Sequence, residues 1–332
     1  MDEIKEFHLF AGIGGGIYGG QLLGHRCVFG VEIDEFCQTV LRQRQADGWM
    51  DKFEILGDIT KLGGYAYKNK FDVLCGGFPC QAFSTAAHGN NIAEKNLWDA
   101  MFHFVEDSEA PIVFAENVVQ KAIDKACSDL KGIGYKVQAC RLSCHDLGAD
   151  HKRDRYWLLA VKERHVFLKV VRHIMAQPKL KVDMWTKNPE EYTYPGDEIK
   201  RGRQLKAIGN AQSPFVAAAA FRILVNRHII DEDMPDITVS KEELESVFEV
   251  QETWMRKEHP EVIGLVHTPT TIANYSTPSM QKHQGCRNFV EVFKKPTPLN
   301  GEYLMGFPIG ASYPKPINEP IQSPWTQIEE NK

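Results

Sequence analysis

Phe7-His8-Leu9-Phe10-Ala11-Gly12-Ile13-Gly14-Gly15-Gly16 decides the fold, because an apolar run stops there in a turn of glycines. Glycine lets a backbone reverse sharply and approach a ligand closely, so this stretch reads as a strand, Phe7–Phe10, opening into a binding turn. Further apolar runs follow at Cys27–Ile33, Phe53–Leu56, Asp72–Cys75 and Ile112–Ala115, separated by segments of helix-forming length. Buried strands that alternate with helices predict an α/β domain on a mostly parallel sheet. Lys136–Leu142 and Tyr156–Val161, after a helix over Val119–Leu130, extend it to about seven strands.

The chain has 332 residues, 43% hydrophobic and 25% charged, as in a globular protein with room for one large domain and a smaller one. Met1-Asp2-Glu3-Ile4-Lys5 lacks the basic start of a leader, and no run approaches the ~18 apolar residues of a membrane span. A cytoplasmic protein without a membrane partner is expected. The eight cysteines include no Cys-x-x-Cys pair, which points to reduced thiols and no metal. The net charge of −5 is uneven: residues 151–206 hold 14 Lys/Arg against 7 Asp/Glu, whereas 231–258 hold 10 acids against 3 bases. A polyanion would approach the first stretch and avoid the second.

After Val161, Pro178, Pro189, Pro195 and Gly196 punctuate a basic, aromatic stretch that reads as a loop-rich insertion over 165–200. Ser213-Pro214 opens an alanine-rich helix, Phe215–Arg227, and the acidic segment Ser240–Lys257 reads as another. From His259 onward, prolines between Pro269 and Pro324 suggest short strands and loops.

Several strand ends carry chemistry-bearing residues. Glu32 ends the second run, about where a carboxylate would meet a ribose, but Ile17 occupies the third glycine position of a dinucleotide fingerprint, which weakens a nicotinamide oxidoreductase reading. Asp58 follows the third run, Pro79-Cys80-Gln81 sets a thiol where the fourth opens, and Glu116-Asn117-Val118 ends the next. In His151-Lys152-Arg153-Asp154-Arg155 the two arginines alternate, so on an extended segment they face one side. Taken singly, each has an ordinary reading: a small hydrophobe at Cys80, a turn cap at Asp58, a solvated charge run at the arginines, a core ring at Trp98 in Leu97-Trp98. In this order, together with Gly209-Asn210-Ala211 and Leu304-Met305-Gly306-Phe307-Pro308, the set resembles the DNA cytosine-5 methyltransferase family. The resemblance is dense over 5–161 and 201–228 and weak over 259–332.

The resemblance implies a class I, Rossmann-like S-adenosylmethionine-dependent methyltransferase with a smaller loop-rich target-recognition domain. It implies a catalytic and cofactor-binding domain over 1–164, the insertion 165–200, a completing helix over 201–230 and a recognition region over 231–332. S-adenosylmethionine is the implied cofactor and S-adenosylhomocysteine the product. Phe10, Gly12, Gly14 and Gly15 would cradle its methionine part, Glu32 its ribose hydroxyls with Ile33 alongside, and Asp58 its adenine amino group. Pro79, Trp98 and Asn210 complete the implied cofactor set. Cys80 would add to cytosine C6, because C5 alone is too weak a nucleophile, while Glu116 hydrogen-bonds ring N3. Arg153 and Arg155 would hold O2 of the base and a flanking phosphate, and Asn117 would brace Cys80.

Gln81 and Ser84, on a loop closing over a flipped base, and Lys282, Arg287, Lys294 and Lys295, on phosphates, are the implied DNA contacts. The partner is double-stranded DNA, met by a monomer that acts alone or beside a separate restriction endonuclease in a bacterial or phage setting. This chain departs from the family pattern at His151, where Gln is usual, and in the reversed order of its last two blocks. A tRNA cytosine-5 methyltransferase and a non-catalytic DNA-binding member are the alternatives on the same fold.

Overall fold

Seven apolar runs become the strands of one sheet: β1 (Lys5–Leu9), β2 (Arg26–Val31), β3 (Glu54–Leu56), β4 (Val73–Gly77), β5 (Ile112–Asn117), β6 (Lys136–Leu142) and β7 (Arg155–Val161). The structure is a computed structural model, and it describes residues 3–79, 97–192, 201–230, 236–262, 264–267 and 275–317. The strand order is β3-β2-β1-β4-β5-β7-β6. The first five are parallel, and β7 runs antiparallel between β5 and β6. Leu9 pairs with Val31 and Gly76, and Gly77 with Glu116, so β1, β2, β4 and β5 all end at one edge. The chain leaves β1 for β2 on one side and returns to β4 on the other, which makes a crevice at that edge, where ligands of open α/β sheets bind.

Alternation along the central strands sorts side chains onto two faces. Leu74, Val113, Ala115 and Leu158 pack with α3 (Leu97–Ser108) and α4 (Gln120–Gly132), as do Phe7 and Leu9. Val73, Cys75, Phe114 and Trp157 face the other way, toward α5 (Arg164–Met175) and α7 (Pro214–Ile230). Burial on both faces explains why these strands read as continuous apolar runs. A third cluster joins α1 (Gly15–Leu22) and α2 (Glu35–Ala46) to Ile208 of α6 (Arg201–Asn210) and to Met305, Phe307 and Ala311. α7 is buried almost all round because α1 lies so close: a Cβ on Gly19 would sit 3.0 Å from Ala217 Cβ. Its alanines make that approach sterically possible.

Three local expectations are corrected. Residues 165–175 of the stretch expected to be loop-rich lie in α5, whose Val166, Phe167, Val170 and Ile174 share a buried face; the prolines begin only after its end. The acidic segment expected as one helix divides into α8 (Lys241–Val247), closed by a Ser240–Glu243 capping box, and α9 (Trp254–Glu258), started by Thr253. Between them β9 (Phe248–Glu249) pairs in parallel with β8 (Leu180–Lys181). Beyond His259 the described residues hold two helices, α10 (Gln284–Phe293) and α11 (Pro298–Met305), rather than strands, apart from one bridge of Val266 to His151. Among the described residues no helix is long and apolar enough to cross a membrane.

Candidate active site

At the strand edge opens a cavity of about 760 Å³, the size of a site that encloses a small organic molecule. The turn after β1 shapes its floor. Phe10 takes φ 55°, a conformation uncommon for a residue with a side chain, and Gly12 and Gly14 follow at 55° and 90°. The Glu32 carboxylate braces this turn: one oxygen accepts the Gly12 N–H at 2.6 Å and the other the Asp34 N–H at 2.8 Å. A carboxylate offers about four lone-pair directions, so acceptor capacity is left for a ligand's hydroxyls. Burial pushes the Glu32 carboxyl up despite these backbone bonds.

The wall is assembled from the other strand ends. Ile33, Asp58, Pro79 and Asn210 line the cavity with Phe10, Gly12, Gly15 and Glu32, which brings eight of the expected cofactor residues together. Asp58 is held by Thr60, whose N–H and Oγ1 donate to it at 3.0 and 2.8 Å; these bonds pull its carboxyl down. Gly14 stands behind the wall as the left-handed residue before α1. Trp98 is corrected to a core residue. It is 1% exposed, its ring lies against Phe78 and Phe102, and its indole N–H donates to Asp129 at 2.7 Å, so no face remains for a ligand.

The reactive end lies around Glu116, which is 7% exposed and also lines the cavity. Because β7 runs antiparallel beside β5, Arg155 arrives at this carboxylate with Nε 3.0 Å from Oε1. Gln212, just past α6, donates from Nε2 to Oε2 at 3.2 Å. Asn117 donates to the Phe78 carbonyl at 2.8 Å and accepts the Val119 N–H at 2.9 Å, which fixes the backbone as it enters Pro79. Cys80, Gln81 and Ser84 lie outside the described residues.

Arg153 is corrected as well. Alternation predicts that both guanidinium groups aim into one pocket, but Arg153 is buried and donates to the carbonyls of Gly209 and Ala211, each at 2.8 Å. It grips the turn between α6 and α7. His151 is fully buried nearby, and burial, reinforced by Arg153 and Arg155, pushes its imidazole down to about 3, so it is neutral. Lys282, Arg287, Lys294 and Lys295 are exposed around α10, away from the cavity wall; Arg287 donates to the Gln281 carbonyl at 2.7 Å and Lys294 to that of Glu291 at 2.8 Å. Gln212 was missed by sequence reasoning, although it stands two residues beyond Asn210. Arg203 and Lys206 also line the cavity without having been singled out, on the face of α6 that carries Asn210.

The chain is 30% identical over 177 residues to the type II methyltransferase M.MspI of Moraxella sp, an alignment covering 49% of this chain and 40% of that protein. It is 28% identical over 171 residues to the type II methyltransferase M.HhaI of Haemophilus parahaemolyticus, covering 49% and 50%. The chain thus spans half or less of the length of these relatives. A solved structure of a DNMT2 mutant from Spodoptera frugiperda matches with TM-score 0.42 at 19% identity, covering 48% of this chain and 50% of that one. The family described as C-5 cytosine-specific DNA methylase matches residues 4–314, nearly the whole chain, and the protein belongs to that family.

Proposed function

We infer that this protein transfers a methyl group from S-adenosylmethionine to C5 of cytosine in double-stranded DNA. The observation that carries the reading is the shared cavity: the Glu32-braced glycine turn lies at one end, and at the other Glu116 stands beside the strand that leads to Cys80. The donor set fits the cofactor. Glu32 keeps acceptor capacity for two ribose hydroxyls, Asp58 offers an acceptor at the adenine end, and the glycines admit a methionine chain close to the backbone. S-adenosylmethionine, when bound there, supplies an electrophilic methyl group.

The chain's own residues prepare the base. Cytosine in a duplex is stacked and must be extruded to reach a strand-end site. The Cys80 thiolate adds to C6 and loads electron density onto C5, while Glu116 shares a proton with ring N3 and so stabilises the charge arriving there. Arg155 keeps Glu116 oriented and supplies positive charge beside O2. After C5 is methylated, its hydrogen leaves to water or a hydroxyl and the Cys80–C6 bond breaks, which regenerates the thiolate. Asn117 acts before chemistry by holding the Phe78–Pro79 backbone from which Cys80 follows.

DNA recognition is assigned to 231–332 with a contribution from 165–200, and 1–164 with 201–230 to catalysis. Gln81 and Ser84 are assigned to the strand from which the base is flipped, and Lys282, Arg287, Lys294 and Lys295 to phosphates. Incubation with S-adenosylmethionine and duplex DNA carrying 5-fluorocytosine tests the reaction, since fluorine at C5 cannot leave as a proton. A denaturant-resistant protein–DNA complex linked through Cys80 is the expected product; methylation of ordinary DNA without any such complex would refute the covalent route.

A further inference from the structure

Behind the active site lies a buried polar chain for which the proposed reaction has no stated use. Glu6, on β1, accepts from His8 Nε2 at one carboxylate oxygen and from His25 Nδ1 at the other, both at 2.7 Å. Burial opposes the charge, yet His25 and His8 lower the Glu6 carboxyl to about 2. Cys75 adds a sulfur within 4.8 Å of the Glu6 and His8 ligand atoms. Ligands sharing one zinc ion at about 2.0 Å stand more than about 3 Å apart, so contacts of 2.7 Å are hydrogen bonds rather than a metal centre.

With Nε2 committed to Glu6, the other nitrogen of His8 is turned toward Gly16. A Cβ on Gly16 would lie 3.2 Å from His8 Nδ1 and 2.5 Å from Gln212 Oε1. The two side chains therefore converge over a residue that has no side chain of its own. Between them is an internal cavity of about 10 Å³, bordered by Glu6, His8, Gly16 and Gln212, at the lower limit for one bridging water. The same amide reaches the other way, with Nε2 donating to Glu116 Oε2 at 3.2 Å. A Cβ on Gly77 would come within 2.8 Å of both Gln212 Nε2 and Glu116 Oε2, so a glycine keeps this contact open too.

We propose that Gln212 is a positioning residue that orients the Glu116 carboxylate for the base, and that the buried His8–Glu6–His25 chain fixes which way its amide points. With Nε2–H donated to Glu6, His8 Nδ1 is an acceptor, so a water in the small cavity donates one proton to it and the other to the Gln212 amide oxygen, which leaves the amide N–H₂ for Glu116; a flipped amide would set its oxygen against the Glu116 carboxylate. Arg153, by gripping the carbonyls on either side of Asn210, fixes the backbone that presents Gln212. The inference rests on Glu116 being the group that meets the cytosine.

Steady-state methylation of unmethylated genomic DNA with tritium-labelled S-adenosylmethionine tests it, in wild type, Gln212→Met, His8→Gln and the double variant. Gln212→Met keeps the length and removes both polar atoms; His8→Gln keeps an N–H toward Glu6 and removes the nitrogen facing Gln212. The expected result for Gln212→Met is a kcat lowered roughly 10- to 100-fold, as for loss of a hydrogen bond to a charged group. S-adenosylhomocysteine affinity and the KM for S-adenosylmethionine should change less than about twofold. His8→Gln should lose less, and the double variant no more than Gln212→Met alone, because His8 acts through Gln212. An unchanged kcat in Gln212→Met, or a raised KM in place of a lowered kcat, would overturn the proposal. Additive losses would overturn the part played by His8. A wild type that methylates no DNA would overturn the underlying reading of Glu116, an outcome distinct from all of these.

Discussion

At the scale of single residues, the strand ends were legible and the groups behind them were not. Glu116 directly follows an apolar run, Asp58 follows one across Gly57, and Glu32 stands one residue before the end of another, so sequence order alone puts them at one sheet edge. Gln212 meets Glu116 across 96 positions and Arg153 meets Gly209 across 56, contacts that depend on how α6 and α7 dock rather than on any local pattern. Trp98 shows the same limit: its partner Asp129 lies 31 positions on. Glu32→Ala is expected to weaken S-adenosylhomocysteine binding by about 1.5–3 kcal/mol with DNA affinity unchanged; titration calorimetry checks it, and an unaltered dissociation constant would remove Glu32 from the site. Glu6 predicts a pH dependence. Its carboxyl sits near 2 in the folded chain against an ordinary 4.5, so the stability it contributes is fully present above 4.5 and is lost as pH falls through about 2. Glu6→Gln should cost about 3 kcal/mol at pH 7, as when one partner of a buried pair is removed, and should flatten the acid limb of the urea midpoint against pH. A variant as stable as wild type at pH 7 would show that the two imidazoles do not stabilise that charge.

At the scale of elements, periodicity carried far where it was regular. All seven strands of the sheet stand where the apolar runs put them, most cleanly at β4, which has no polar side chain, while β1 carries the buried Glu6 and His8 along its length. α5 was obscured by its C-terminal neighbourhood: the turn signals from Pro178 onward outweighed an apolar spacing already present in Val166, Phe167, Val170 and Ile174. The turn between α6 and α7 is the element on which the site depends most, since it carries Asn210 to the cavity and Gln212 to Glu116 while Arg153 holds its carbonyls. Arg153→Leu removes that grip and leaves the carbonyls of Gly209 and Ala211 short of donors. Cofactor affinity and kcat should both fall, each by roughly tenfold or more. A variant that loses DNA affinity alone would return Arg153 to the base-contacting role that alternation suggested.

At the scale of the whole molecule, residues 302–315 of the stretch assigned to recognition belong to the core. Met305, Phe307 and Ala311 pack with α1 and α2, Arg44 donates to the Gly310 and Lys315 carbonyls, and Glu302 accepts from the Gly310 and Ser312 N–H groups and from the Ser312 hydroxyl. Burial pushes Glu302 up to about 7 even with these donors. A chain ending at Ile230 would strip the cluster beneath the glycine turn, so it is expected to lose cooperative thermal unfolding; a sharp, wild-type-like transition would show that the catalytic part stands alone. Lys294 and Lys295, exposed beyond that core, offer the milder probe of DNA binding. Neutralising both should shallow the salt dependence of DNA affinity by about one unit of slope for each phosphate that a lysine no longer meets. The central claim is cytosine C5 methylation by way of Cys80, and bisulfite sequencing of DNA from cells expressing the protein tests it most directly. Wild type should protect cytosines within a defined sequence and Cys80→Ser should protect none; wild-type DNA converted throughout, or equal protection by Cys80→Ser, would contradict the account.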